Sequence, residues 1–196
     1  MSDVAARQVC IRVPAKGALG RNEYERLTSR SEWVHRCLGD DGVYVGRPKC
    51  DGGWYEAPAV KAGSLFANPY PLKDFSLDES LTRFRAFLLA RIRPNVTPPE
   101  IIQLLPAKVQ KLASQRFKGG HERDAVGRSV AHLRLGVVGE DFRAELLALR
   151  GKRLGCFCDE ADTCHATVLA DVIEELLRAE THAPSSKRQK CEDLAR

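Results

Sequence analysis

The sequence predicts an α/β protein with a small, largely parallel sheet that is flanked by helices and carries a helical insertion. Short apolar runs with strand-like spacing are separated by longer amphipathic segments, which is typical of this fold class. The composition is that of a globular protein, with 43% hydrophobic and 29% charged residues. We expect a flexible leader over 1–8, a single α/β domain over 9–180 and a disordered basic tail over 181–196.

Two strands and one helix are predicted in the first quarter of the chain. Residues 9–13 alternate apolar and mixed side chains and stop at Pro14, which is typical of a strand. A helix is predicted over 24–38. The short apolar run 43–45 predicts a second strand, and it ends at Gly46-Arg47-Pro48.

Two capping boxes mark the starts of the next two helices. Ser76 and Glu79 have the spacing at which two side chains satisfy free N–H groups of the first turn. Thr97 and Glu100 repeat the pattern, with Pro98 at the first helical position. The second helix is expected to end near residue 105. The first is expected to run to about residue 92 with one apolar stripe, made of Leu81, Phe84, Leu88 and Ile92.

Residues 95–135 are predicted to form a basic helical insertion. Pro106 restarts the chain into a helix over 107–117, and Gly119-Gly120 ends it. Basic residues outnumber acidic ones here, and they are Lys108, Lys111, Arg116, Lys118, Arg123, Arg128 and Arg134. Such a segment is either a solvated surface or a contact surface for nucleic acid, and the sequence leaves both open.

The richest chemistry lies near the end of the domain. The last three elements are predicted as a helix over 140–149, a strand over 153–158 and a helix over 165–179. Cys156 and Cys158 share one face of the strand, because side chains two residues apart point the same way. Cys164 and His165 begin the helix that follows. Open α/β sheets bind ligands at such strand–helix junctions.

Three interpretations of this Cys/His cluster stay open. A helix N-terminus binds anions and favours a thiolate, so Cys164 or Cys158 is a candidate nucleophile and His165 a candidate acid–base group. Alternatively, the cluster is a zinc site with three thiolates and one imidazole, from Cys156, Cys158, Cys164 and His165. The close Cys-x-Cys spacing argues against zinc. In the third interpretation the cysteines are small apolar packing residues.

Charge and the chain's first residues bear on partners and location. A formal charge of +5 permits an anionic partner such as a nucleotide or nucleic acid without requiring one. Met1 to Gln8 lack the apolar core of a signal peptide, and no apolar run is long enough to span a bilayer. We therefore expect an intracellular protein, cytoplasmic or nuclear, that does not engage a membrane. Lys187-Arg188-Gln189-Lys190 is a candidate nuclear-import signal.

Several motifs together resemble the family called domain of unknown function 4326, which is spread over bacteria, phages and large DNA viruses. The main motif is Leu154-Gly155-Cys156-Phe157-Cys158, followed by Cys164-His165-Ala166-Thr167-Val168-Leu169. Gly46-Arg47-Pro48 after a short strand and the turn at Asn68-Pro69 also resemble that family. Phe157 stands where the family usually has Trp, and Ala67 where it usually has Gly.

The resemblance implies a small α/β domain whose distant motifs converge on one pocket. Gly46 and Arg47 would hold a phosphate or carboxylate, and Asn68 would supply an amide for a base or sugar. The helix start at Cys164 and His165 would bind the anion. The leading hypothesis is a pocket for a nucleotide-like or phosphorylated ligand, in an enzyme acting on nucleotides or nucleic acid if catalysis occurs. The alternative is a non-enzymatic factor that binds nucleic acid or protein, in which the Cys/His cluster is structural or holds zinc.

Overall fold

The computed structural model of the chain describes residues 10–12, 39–40, 42–47, 63–117, 130–156 and 164–182. The helix predicted over 24–38 lies outside these ranges, as do the leader, Cys158 and most of the tail. Within them, the chain forms three strands and six helical segments.

Three short strands form a parallel sheet in the described part of the chain. They are β1 (Cys10–Arg12), β2 (Gly42–Tyr44) and β3 (Arg153–Cys156), in the spatial order β1-β3-β2. Leu154 of β3 stands opposite Cys10 on one side and Val43 on the other. Because β3 is the central strand, its residues from Leu154 onward are buried. The predicted α/β class with a small parallel sheet is confirmed.

Five α-helices accompany the sheet within the described ranges, together with one turn of 3₁₀ helix at Val130–Leu133. They are α1 (Leu77–Arg91), α2 (Pro98–Gln103), α3 (Ala107–Phe117), α4 (Gly139–Leu147) and α5 (His165–His182). All five match predicted helices closely. Helix α1 packs against α5, and α5 packs against β3. None of these helices combines the length and the hydropathy that crossing a bilayer demands.

The two predicted capping boxes begin α1 and α2, with different partners for the two glutamates. The Ser76 hydroxyl accepts a hydrogen bond from the Glu79 N–H group (3.2 Å), while the Glu79 carboxylate pairs with Arg83 (2.8 Å). At α2, the Glu100 carboxylate accepts bonds from the Thr97 hydroxyl (2.6 Å) and the Thr97 N–H group (2.7 Å). These two bonds lower the pKa of Glu100. Both helices therefore start where the sequence places them.

One arginine belongs to the hydrophobic core. Arg91, the last residue of α1, has no exposed surface. Its guanidinium lies 3.7 Å from the ring centre of Phe142 and 5.5 Å from that of Phe87. Its Nη2 donates to the carbonyl oxygens of Arg134 (3.1 Å) and Val137 (2.8 Å). Aromatic faces and carbonyl dipoles thus surround the cation.

The same guanidinium connects α1 to a second segment. Its Nη1 reaches the carbonyl oxygen of Leu65 at 3.5 Å. Its Nε has no acceptor within the described part of the chain. Burial, and then the charge of Arg134, lowers the pKa of Arg91 to about 9, so the side chain stays charged at neutral pH. Arg91 therefore holds the loops at 65 and 134–137 against one end of α1.

The apolar stripe predicted for α1 is partly right. Phe84 and Leu88 are fully buried, whereas Leu81 and Ile92 are half-buried. Phe87 and Arg91 are also buried, and the stripe omitted both. An arginine carries no hydrophobic signal, so sequence patterning alone places it on the surface.

We expect Arg91→Met to lower the free energy of unfolding by about 3 kcal/mol, because three carbonyl groups lose their donors. Chemical denaturation followed by circular dichroism measures this change. Arg93→Met is the matched control, since Arg93 is exposed and only two residues away. A change below about 0.5 kcal/mol is expected there. Equal losses in the two variants would contradict the role of Arg91 in the core.

Candidate functional site at the carboxyl edge of the sheet

Three segments that are far apart in sequence meet where the parallel strands end. The Val45 N–H group donates to the Gly155 carbonyl (2.8 Å), which continues the β2–β3 pairing by one residue. The next carbonyl, that of Gly46, accepts a hydrogen bond from the Ser64 N–H group (3.1 Å). Backbone bonds therefore bring the Gly46-Arg47 turn beside both the Cys/His strand and the segment that leads to Asn68. We call this region the carboxyl edge.

Gly46 leaves room for a tyrosine that folds back over it. The Tyr44 hydroxyl donates to the carbonyl oxygen of Arg47 (2.7 Å), and its ring lies over Gly46. A Cβ atom at position 46 would lie 2.5 Å from Tyr44 Cζ and 2.9 Å from Cε2. Those separations are far below van der Waals contact. The turn that presents the exposed Arg47 is thus closed by Tyr44 and permitted by Gly46.

His165 fastens the start of α5 to the end of β2. Its Nε2 lies 3.1 Å from the carbonyl oxygen of Val45. A carbonyl only accepts, so Nε2 carries the proton and donates it in this bond. The ring is 9% exposed and meets Phe84 edge-on, with 6.0 Å between ring centres. The buried imidazole therefore holds the start of α5 against the end of β2 by a hydrogen bond.

The charge state of His165 follows from its surroundings. Burial is the main cause that lowers its pKa, and the nearby charge of Arg47 lowers it further. The charge of Cys164 and the bond to Val45 raise the pKa, but burial dominates. The imidazole is consequently neutral at pH 7. Arg47 follows two residues after Val45, whose carbonyl this ring bonds.

The thiols of Cys156 and Cys164 touch each other beneath the edge. Both are reduced, both are buried, and their sulfur atoms are 3.7 Å apart. The Cys164 carbonyl accepts from the N–H groups of Thr167 (3.0 Å) and Val168 (3.3 Å), so Cys164 is the residue that leads into α5. Its sulfur also lies 3.8 Å from the Thr167 hydroxyl. The structure thus places Cys164 at a helix N-terminus.

The zinc alternative depends on a residue outside the described ranges. Two thiolates on one tetrahedral zinc lie about 3.8 Å apart, which follows from a Zn–S distance of about 2.3 Å. The separation of Cys156 and Cys164 is compatible with that geometry. Within the described ranges, however, no three His, Cys, Asp or Glu side chains are grouped so as to hold a metal ion. Cys158 is not among the described residues, so the four-ligand zinc site stays a prediction.

Asn68 uses its amide inside the protein. Its Nδ2 donates to the Ser80 hydroxyl (2.9 Å), and its Oδ1 accepts from the Tyr70 N–H group (2.9 Å). The Ser80 hydroxyl donates in turn to the Tyr70 carbonyl (2.7 Å). Asn68 is only 5% exposed. A ligand contact at Asn68 would have to compete with these bonds, and the ligand-binding role assigned to it stays a prediction.

Sequence reasoning missed the residues that join the edge through their backbone. The carbonyl of Val45 and the N–H group of Ser64 carry the two contacts, and neither residue type has a functional signature. Ser80 was equally invisible, since its partners Tyr70 and Asn68 are 10 and 12 residues away along the chain. A helix-start serine four residues after Ser76 gives no warning of a tertiary bond. Only the Gly46-Arg47 turn and the Cys/His cluster could be found by motif.

A shallow groove lies elsewhere on the surface of α1. It encloses about 540 Å³, and Arg83 and Arg93 stand ten residues apart along its lining. Tyr70, Phe87 and Leu104 are also part of that lining. None of the predicted site residues is, so we assign the candidate site to the carboxyl edge.

A family model matches most of the chain. The family is described as a domain of unknown function (DUF4326), and the match covers residues 28–175, about three quarters of the chain. All predicted site residues fall within it. No curated protein and no solved structure matches the chain.

We expect stability to fall on acidification below about pH 6.5, because His165 must stay neutral when folded. Its pKa is lowered by folding, so the unfolded chain takes up the proton first and gains stability as pH drops. Denaturation midpoints between pH 7.5 and 5.5 measure the effect, which is at most about 1.4 kcal/mol per pH unit. His165→Gln should flatten this dependence, and the half-buried His132 offers the control His132→Gln. An unchanged slope in His165→Gln would contradict the assignment.

Proposed function

The chain belongs to the DUF4326 family, and on that premise we propose that it binds a nucleotide-like or other phosphorylated ligand at the carboxyl edge. One observation carries the proposal. The turn that bears Arg47 and the N-terminus of α5 are joined by the hydrogen bond from His165 to Val45. In parallel α/β sheets, the ends of the strands and the starts of the following helices are where anionic ligands bind.

The charges at this edge suit a phosphate group. Arg47 is exposed, and a guanidinium binds phosphate oxygens in a bidentate manner. Helix α5 is 18 residues long, and its N-terminus carries a partial positive charge. The buried imidazole between them is neutral at pH 7, so it adds no charge to the site. In this proposal Arg47 and the first turn of α5 hold the anion together.

The bond between His165 and Val45 supports binding by fixing geometry in advance. Because the two elements are already joined, an anion would not have to order them when it binds. The contact of Tyr44 with Gly46 has the same effect on the turn that presents Arg47. His165 and Gly46 are positioning residues in this scheme, and Arg47 is the ligand contact.

Catalysis by the Cys/His cluster stays a prediction. The sulfur of Cys164 and the ring of His165 are buried, so substrate would reach them only after the junction opens. Cys158, the other candidate nucleophile, lies outside the described ranges. The binding proposal does not depend on any of these reactions.

Arg47→Ala should weaken binding of the phosphorylated ligand tenfold or more, because a charge-assisted hydrogen bond contributes about 1.5–3 kcal/mol. Isothermal titration calorimetry with inorganic phosphate and with nucleoside mono-, di- and triphosphates measures the affinities. Arg47→Lys should recover part of the loss, since it restores charge without the guanidinium fork. Arg150→Ala is the matched control. Arg150 is exposed and precedes β3, at the opposite end of the strand, and its loss removes the same charge.

Two results would contradict the proposal. One is equal weakening in Arg47→Ala and Arg150→Ala, which would indicate a general charge effect. The other is the absence of phosphate and nucleotide binding in a protein that binds nucleic acid instead. A double variant of the exposed Lys108 and Lys111 of α3 tests this second result. If nucleic acid binds there, Lys108→Glu and Lys111→Glu together abolish that binding.

A further inference from the structure

We propose that Cys156 and Cys164 are an oxidation site, at which the two thiols convert reversibly to a disulfide. Their sulfur atoms are 3.7 Å apart and in contact. Neither side chain is more than 1% exposed, so each sulfur is the other's neighbour in a closed space. For a disulfide to form, the two atoms must approach to about 2.05 Å.

The backbone elements on either side of the pair keep the two sulfurs close to each other. Cys156 is the last residue of β3, the central strand of the described sheet, and is paired with Arg12 of β1. Cys164 leads directly into α5, and the hydrogen bond from His165 to Val45 fixes the start of that helix against β2. The pair therefore connects β3 with the start of α5, and both of these elements are already anchored to the same sheet.

The two thiols are not equivalent. The Cys156 thiol is the donor in the sulfur–sulfur contact, and Cys164 is the acceptor. The Thr167 hydroxyl lies 3.8 Å from the Cys164 sulfur and is placed to donate to it as well. Two donors and a helix N-terminus favour the thiolate at Cys164. Cys164 is accordingly the attacking sulfur and Cys156 the resolving one.

The oxidant is a small hydroperoxide, which is compact enough to enter when the junction opens locally. The Cys164 thiolate attacks the peroxide, the O–O bond breaks, and the sulfur becomes a sulfenic acid while an alcohol or water leaves after taking up a proton. The Cys156 sulfur then attacks Cys164, the S–O bond breaks, and its thiol proton leaves with the hydroxyl group as water. Two thiols and one hydroperoxide thus give one disulfide, one alcohol or water, and one further water. A dithiol reductant reverses the change by exchange.

The test uses the full-length chain treated with hydrogen peroxide. Trypsin leaves Cys156, Cys158 and Cys164 in one peptide, because no Lys or Arg lies between Arg153 and Arg178. Cleavage after Glu160 by a glutamate-specific protease separates Cys164 from the other two. Mass spectrometry should then find the two fragments linked, and dithiothreitol should release them.

The matched variants decide which residue is the partner. The link should persist in Cys158→Ser and disappear in Cys156→Ser. The oxidised protein should also unfold about 5 °C higher than the reduced one, because the crosslink restricts the unfolded chain. Loss of the link in Cys158→Ser would overturn the proposal, since Cys158 would be the partner. Oxidation of Cys164 to sulfinic acid without a link, or one zinc per chain that is lost in Cys164→Ser, would overturn it as well.

These outcomes do not depend on anion binding at the carboxyl edge. The link is detected by mass and the zinc by elemental analysis, and neither measurement needs a ligand. Failure of the disulfide therefore leaves the binding proposal standing, and failure of phosphate binding leaves the disulfide standing.

Discussion

The burial of one guanidinium, that of Arg91, connects the segments on which the carboxyl edge depends. Arg91 bonds the carbonyl of Leu65, and the residue before it, Ser64, donates to the carbonyl of Gly46. Helix α1 thereby fixes the edge without contributing a polar group to it. A guanidinium suits this task because its rigid fork of donors holds several carbonyls at once, whereas an apolar side chain would leave them bare. Burial of this cation costs free energy, because its charge is removed from water.

The proposed anion binding and the proposed thiol oxidation meet at the junction between β3 and α5. The exposed Arg47 lies on one side and is the proposed contact for an anion. The buried sulfurs of Cys156 and Cys164 lie on the other side and form the proposed oxidation site. His165 lies between Arg47 and the two sulfurs. Its ring bonds the carbonyl of Val45 at the end of β2, and the residue before it, Cys164, carries one of the sulfurs. Both proposed chemistries use one helix start, which the bond from His165 to Val45 anchors to the sheet.

The sequence predicted what depends on local signals. The starts of α1 and α2 follow from Ser76 and Thr97, because a cap is satisfied within its own turn. Convergence of the Gly46-Arg47 turn with the Cys/His strand was also expected, through the family resemblance. The core position of Arg91 and the bond from Asn68 to Ser80 were not, since both depend on partners that only the folded chain brings near. Ser80 donates in turn to Tyr70, and such tertiary contacts leave no trace in a single sequence.

The contact between Tyr44 and the glycine two residues later has an evolutionary consequence. The ring occupies the volume that any β-carbon at position 46 would need, so a larger residue there would displace the ring. A homologous chain with such a residue must replace the tyrosine at 44 or turn its ring away, and must then close the turn before Arg47 by some other bond. Positions 44 and 46 should therefore covary across the family as a linked pair, although neither touches a ligand in the scheme above.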